Sequence, residues 1–134
     1  MAAHALKDGR AAASGTFRGR TPHASRGGGA MIEVTQTYDL LPAVDRDTYA
    51  DWVKKAIGLV LKQPGLVEFR AHRNLLGSPQ VRTTTVWQSG ADWAHFAEGA
   101  WQTLEPELRR MATNLRIELW GPSPMVTEPL RPGR

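Results

Sequence analysis

The stretch Gln63-Pro-Gly-Leu-Val-Glu-Phe-Arg-Ala-His-Arg-Asn-Leu-Leu-Gly-Ser-Pro-Gln-Val-Arg-Thr-Thr-Thr-Val-Trp-Gln-Ser89 holds a helix exit, two strands and a helix cap in one window. Pro64-Gly65 stops a helix, because Pro cannot continue it and Gly tolerates a left-handed cap. Val67 to Leu75 alternates apolar and polar residues, Gly77-Ser78-Pro79 turns, and Val81 to Trp87 is β-branched and aromatic. Ser89 and Asp92 then place a hydroxyl and a carboxylate where the free amides of a new helix need acceptors. The window therefore reads as a hairpin with a helix on either side.

Upstream, Ile32 to Leu40 alternates as a strand, with Ile32, Val34, Gln36 and Tyr38 on one face and Glu33, Thr35, Thr37 and Asp39 on the other. Pro42 ends it and Asp45 can cap a helix, along which Tyr49, Trp52, Val53, Ala56, Ile57 and Val60 recur at helical spacing. Gly58 costs that helix about 1 kcal/mol relative to Ala, so it is expected to mark a point of close packing. Downstream, Trp93, Phe96 and Ala97 share one side of a short helix, and Trp101, Leu104, Leu108 and Met111 one side of a second. Pro106 is expected in the first turn of that second helix, or at a kink. Leu115 to Trp120 supplies a last strand. The order β-α-β-β-α-β is the split pattern of ferredoxin-like α+β folds, an antiparallel sheet with helices on one face. The right-handed crossover rule makes the first and second strands parallel, with the third between them.

The 134 residues suffice for one domain with one core, expected over residues 31–120. Residues 1–30, rich in Gly, Ala, Ser and Arg, read as a disordered extension, and Met31 is a candidate natural start. Residues 121–134 read as a Pro-rich tail. The formal charge of +4 resides in the extension, whose five basic residues face a single acid, while the remaining 12 basic and 12 acidic residues cancel. A neutral body without a basic stripe points away from nucleic acid. No run is long enough for a membrane span, and no secretory signal is visible, so a cytoplasmic protein is expected. Cysteine is absent, which removes disulfide and thiolate chemistry. No two of the four histidines have metal-ligand spacing, so no metal is expected.

Strand parity gives the sheet two faces of different chemistry. One carries Ile32, Val34, Gln36, Tyr38, Val67, Phe69, Ala71, Arg73, Val81, Thr83, Thr85, Trp87, Leu115, Ile117 and Leu119, and must receive the helices. The other carries Glu33, Glu68, Arg70, His72, Asn74, Arg82, Arg116, Glu118 and Trp120, an ionic face suited to water or to a second copy of the chain. On the helix-facing side Gln36, Tyr38, Arg73 and Thr83 are polar, and the topology gathers them at one edge. Tyr49, Trp52 and Met111 point to the same place. Convergent polar groups in an apolar setting are the signature of a small-molecule pocket. The blander reading has Arg73 and Tyr38 snorkelling to the rim while Gln36 bonds a backbone group.

The run Leu66-Val-Glu-Phe-Arg-Ala-His-Arg-Asn-Leu-Leu-Gly-Ser-Pro79, followed by Val86-Trp-Gln-Ser-Gly-Ala-Asp-Trp-Ala-His-Phe96, resembles the antibiotic biosynthesis monooxygenase family. The resemblance spans about Met31 to Trp120. It implies a dimeric α+β barrel, a homodimer joined through the ionic sheet face, with a ligand cavity between sheet and helices in each subunit. It further implies oxidation of an aromatic or phenolic small molecule by dioxygen without a cofactor. On that reading Arg73 supports a developing oxyanion, Gln36 and Tyr38 orient the substrate, and Tyr49, Trp52, Thr83, Trp87 and Met111 line the site. His95 matches the family's recurrent His in the Ala-His-apolar run, although Trp93, Phe96 and Ala97 turn it toward the helix flank. The haem-degrading branch places an Asn on the first strand and a His on the last helix; this chain has neither, so haem chemistry is not expected. The competing reading is a non-catalytic binding or accessory module of the same fold.

Overall fold

A computed structural model describes residues 30–133; the expected disordered extension lies almost wholly outside them. The chain runs β1 (Ile32–Leu40), α1 (Arg46–Val60), β2 (Leu66–Arg73), β3 (Val81–Trp87), α2 (Gly90–Glu98), α3 (Trp101–Arg109) and β4 (Ala112–Trp120). The sheet order is β2-β3-β1-β4, with every neighbouring pair antiparallel, so β1 and β2 are parallel and flank β3. This is the ferredoxin-like arrangement, with the helices on one face. Residues 121–133 form no helix or strand, and Met125 and Leu130 there are exposed.

Local chemistry explains the boundaries. Asp45 accepts the Thr48 amide at 2.9 Å and opens α1; Ser89 Oγ accepts the Asp92 amide at 3.2 Å and opens α2. Gly65 sits at φ 85°, a left-handed conformation open to Gly, and a Cβ there would lie 2.3 Å from the Asp92 carboxyl group. Its carbonyl accepts the Gln88 amide at 2.8 Å, which closes the gap between the α1 exit and the cap of α2. Pro106 stands in the second turn of α3, past the first turn where it was expected.

Two bulges alter the reading by strand parity. Val67 is an extra residue between Leu66, which pairs with Trp87, and Glu68, which pairs with Val86. Leu66 therefore takes the core position expected for Val67, and Val67 is 46% exposed. On β4, Asn114 and Leu115 together oppose Tyr38, with Asn114 at φ 60°, and the strand starts at Ala112, three residues before the expected Leu115. Gly58 is also corrected. It is exposed and has nothing within 4 Å of where a Cβ would sit, so it marks no close contact.

The core lies between the sheet and the α2–α3 pair. Trp87 and Leu108 are fully buried, and Val34, Trp93, Phe96, Ala97, Trp101 and Leu104 pack with them. The Trp87 and Phe96 rings stack with centroids 5.5 Å apart, and the Trp87 indole N–H donates to Thr85 Oγ1 at 2.7 Å. The opposite sheet face is graded by row. Glu68, Val86, Glu33 and Trp120 form one row across the strands; Arg70, Thr84, Thr35 and Glu118 the next; His72, Arg82, Thr37 and Arg116 the third. Arg70 pairs with Glu68 and Glu33, and Arg116 with Glu118. Asn74, expected on this face, instead holds the hairpin turn, its Oδ1 accepting the Leu76 amide at 2.9 Å.

Candidate small-molecule site

Between α1 and the sheet the packing opens into a cavity of about 130 Å³. Its wall on the helix side comes from Tyr49, Trp52, Val53, Ala56, Ile57 and Val60, one stripe of α1. Its floor is two cross-strand rows, Ala71–Thr83–Gln36 and Phe69–Thr85, with Val81 and Tyr38 at one end. Trp93, Phe96, Trp101 and Leu104 close the end nearest the core. Ala56 is the smallest residue of the α1 wall, and Gln36 and Thr83 are polar members of the floor, so these positions contribute no bulky apolar group to the space.

Five of the residues expected to form a site do line this cavity: Gln36, Tyr38, Tyr49, Trp52 and Thr83. Four do not. Arg73 pairs with Val81 and so belongs to the helix-facing side, but β2 is an edge strand and the guanidinium is exposed beyond the wall. Trp87 is entirely buried in the core behind the wall. Met111 is buried at the α3–β4 junction, where its carbonyl accepts the Leu41 amide at 2.9 Å. His95 is exposed on α2. The sequence reading put Phe69, Ala71 and Thr85 on the helix-facing side of the sheet and Trp93, Phe96, Trp101 and Leu104 on inward helix faces, without naming them as site residues. Spacing announces which way a residue faces, and nothing in it separates a core neighbour from a cavity wall.

The polar centre of the site is a pair of tyrosines. Tyr38 Oη and Tyr49 Oη lie 2.7 Å apart, so one hydroxyl donates to the other and one proton of the pair remains free. Tyr49 also stacks on Trp52, centroids 6.4 Å apart and rings 18° from parallel. Burial, and then the hydrogen bond to Tyr49, push the Tyr38 phenol far above its ordinary pKa. Burial also raises Tyr49, partly opposed by its bond to Tyr38. Both phenols are therefore protonated donors at neutral pH and cannot act as bases. The Trp52 and Trp101 indole N–H groups are buried without an acceptor. The Gln36 side chain makes no hydrogen bond within the described residues.

Beside the cavity, Asp39 forms a polar knot. Its carboxylate accepts from Ser78 Oγ at 2.6 Å, the Gln80 amide at 2.8 Å and Asn114 Nδ2 at 3.2 Å. The Ser78 bond, followed by the Asn114 bond, holds its pKa below the usual carboxylate value. The knot ties the β2–β3 turn to the β4 bulge at the end of the sheet where Tyr38 stands. Among the described residues no group of three or more His, Asp or Glu side chains could hold a metal ion, and no helix is long and apolar enough to cross a membrane.

No protein family model matches the chain, and no curated protein is similar to it. Solved structures are. SnoaB, a cofactor-independent oxygenase from Streptomyces nogalater, superposes with a TM-score of 0.58 at 13% identity, covering 67% of this chain and 90% of its own. Hydroxynitrile lyase from Passiflora edulis gives 0.61 at 10% identity, covering 70% and 94%. A dimeric ferredoxin-like protein of unknown function from Thermobifida fusca gives 0.59 at 11% identity, covering 69% and 92%. Identities this low speak for backbone architecture and leave the chemistry to the site. The chain thus has a ferredoxin-like α+β fold, of a kind also carried by an oxygenase that needs no cofactor and by a lyase.

Proposed function

We propose that this chain is a cofactor-independent monooxygenase that takes an aromatic or phenolic small molecule into the cavity between α1 and the sheet. The observation that carries the reading is the cavity itself: an aromatic and aliphatic chamber whose polar atoms converge on the Tyr38–Tyr49 pair and Gln36. The resemblance in sequence and the shared architecture with a cofactor-independent oxygenase support it. In such chemistry the substrate itself reduces dioxygen. A ring CH₂ next to a carbonyl loses two C–H bonds, gains a C=O, and the second oxygen atom leaves as water, so the reaction balances without an outside reductant. The protein's contribution is to exclude water and to hold donors against the oxygen on which negative charge develops. The tyrosine pair, protonated and buried, fits that role more directly than Arg73, which stands outside the wall where an arriving substrate would pass it. We further propose a homodimer through the ionic sheet face, which leaves both cavities on the outer, helical sides.

The test is oxygen uptake in metal-free buffer with a panel of naphthols and anthrones. Uptake that disappears in a Tyr38→Phe/Tyr49→Phe double variant is expected. A second reading, a binding module without catalysis, draws on one observation: no residue of the cavity wall can accept a proton from a substrate near neutral pH. Binding of the same compounds without oxygen uptake would establish that reading in place of the first.

A further inference from the structure

The cavity wall selects by charge and by size. None of its seventeen residues carries a formal charge, and its only titratable side chains are Tyr38 and Tyr49. On the helix-facing side of the floor strands the charged residue is Arg73, which is exposed and outside the wall. A carboxylate drawn in here would leave water without meeting a partner charge, which disfavours its entry. The hydrogen-bonding capacity to spare at the polar end is the free proton of the tyrosine pair and the Gln36 amide, which can donate as well as accept. A ligand that satisfies this wall brings an acceptor. Volume sets the other limit. A chamber of about 130 Å³ is close to the engineered apolar cavity of about 150 Å³ that binds benzene, so the enclosed part holds one six-membered ring.

We propose that the cavity takes a single neutral aromatic or quinonoid ring whose carbonyl or hydroxyl oxygen accepts from the Tyr38–Tyr49 pair, and that it rejects carboxylates of the same size. Any further ring of a larger ligand lies toward the exposed edge at Ala71. The inference rests on the ligand-binding role proposed above and adds the ligand's charge, its ring count and the atom that is recognised. Burial keeps both phenols protonated, so the donor persists through the neutral range.

Three probes of matched size test it by calorimetric titration of the full chain: acetophenone, benzoate and ethylbenzene. Acetophenone should bind about a hundredfold more tightly than benzoate, which would have to shed its water unpaired. Its advantage over ethylbenzene should be about tenfold and should vanish in the Tyr38→Phe/Tyr49→Phe variant, with ethylbenzene unaffected. Ala71→Lys, at an exposed position on the wall, should raise benzoate affinity about tenfold by supplying a cation. Equal binding of benzoate and acetophenone by the unaltered chain would overturn the proposal without any variant having to fold. So would an acetophenone affinity unmoved in the double variant, or a benzoate affinity unmoved in Ala71→Lys. If none of the three probes binds, the ligand-binding role itself is wrong, an outcome distinct from binding with the wrong selectivity.

Discussion

One sheet face supports two kinds of packing. Under α2 and α3, Trp87, Phe96, Trp101, Leu104 and Leu108 interdigitate and are almost wholly buried. Of the α1 side chains only Val60 is buried, and space between helix and sheet is left to the cavity. The strands are continuous beneath both halves, so the difference comes from the side chains that meet. Aromatic and branched residues pack together in the first half, whereas Ala56, Thr83 and Gln36 are among the residues that border the cavity in the second. Stability is thereby concentrated under one pair of helices, and the other helix is free to border an open chamber.

The contrast can be broken most forcefully in the dense half. Leu108→Ala removes a fully buried side chain that does not border the cavity and should cost about 2–5 kcal/mol in urea denaturation. In the open half, Ala56→Leu should fill existing space. A stability gain of about 1 kcal/mol with loss of acetophenone binding is expected. A loss above 2 kcal/mol would mean that α1 is packed as tightly as its neighbours. Gly58→Ala, on the exposed side of α1, should stabilise by about 1 kcal/mol and leave binding unchanged.

The smallest effect below pH 10 belongs to the tyrosine pair. The folded chain holds both phenols protonated above the ordinary pKa of 10.0, while the unfolded chain releases them there. The unfolded state then binds fewer protons, so this contribution is fully present below about pH 10 and is lost as pH rises further. Urea midpoints at pH 8 and pH 10.5 should show a larger alkaline drop for the unaltered chain than for Tyr38→Phe/Tyr49→Phe. Equal drops would place the pair in water.

Much of this architecture was legible because it is written in short-range rules. Alternation marked all four strands, the side chains of Asp45 and Ser89 marked two helix starts, and handedness put β3 between β1 and β2. The errors have physical sources. A reading that assigns every second residue to one face has no means of seeing an inserted residue, so Val67 was placed in the core and the start of β4 was missed. Arg73 has the right parity, but parity says nothing about whether a neighbour covers the side chain, and an edge strand leaves it in water. Gly58 was read as a contact because glycine inside a helix has a cost; the structure shows that cost with no compensating contact. For the site, the convergence of Gln36, Tyr38, Tyr49, Trp52 and Thr83 was readable, whereas a hydroxyl–hydroxyl contact between Tyr38 on β1 and Tyr49 on α1 is a tertiary distance that no periodicity states.

Gly65 joins the α1 exit to the first turn of α2 with no room for a side chain, although the cavity walls lie on other residues. A substitution there would push on Asp92 and so displace the helix that carries Trp93 and Phe96, reshaping the chamber from a distance. A remote homologue that keeps the chamber is therefore expected to retain glycine at this elbow even where its ligand contacts have diverged. The elbow thus offers a more durable signpost for tracing the lineage than any residue that touches the bound molecule.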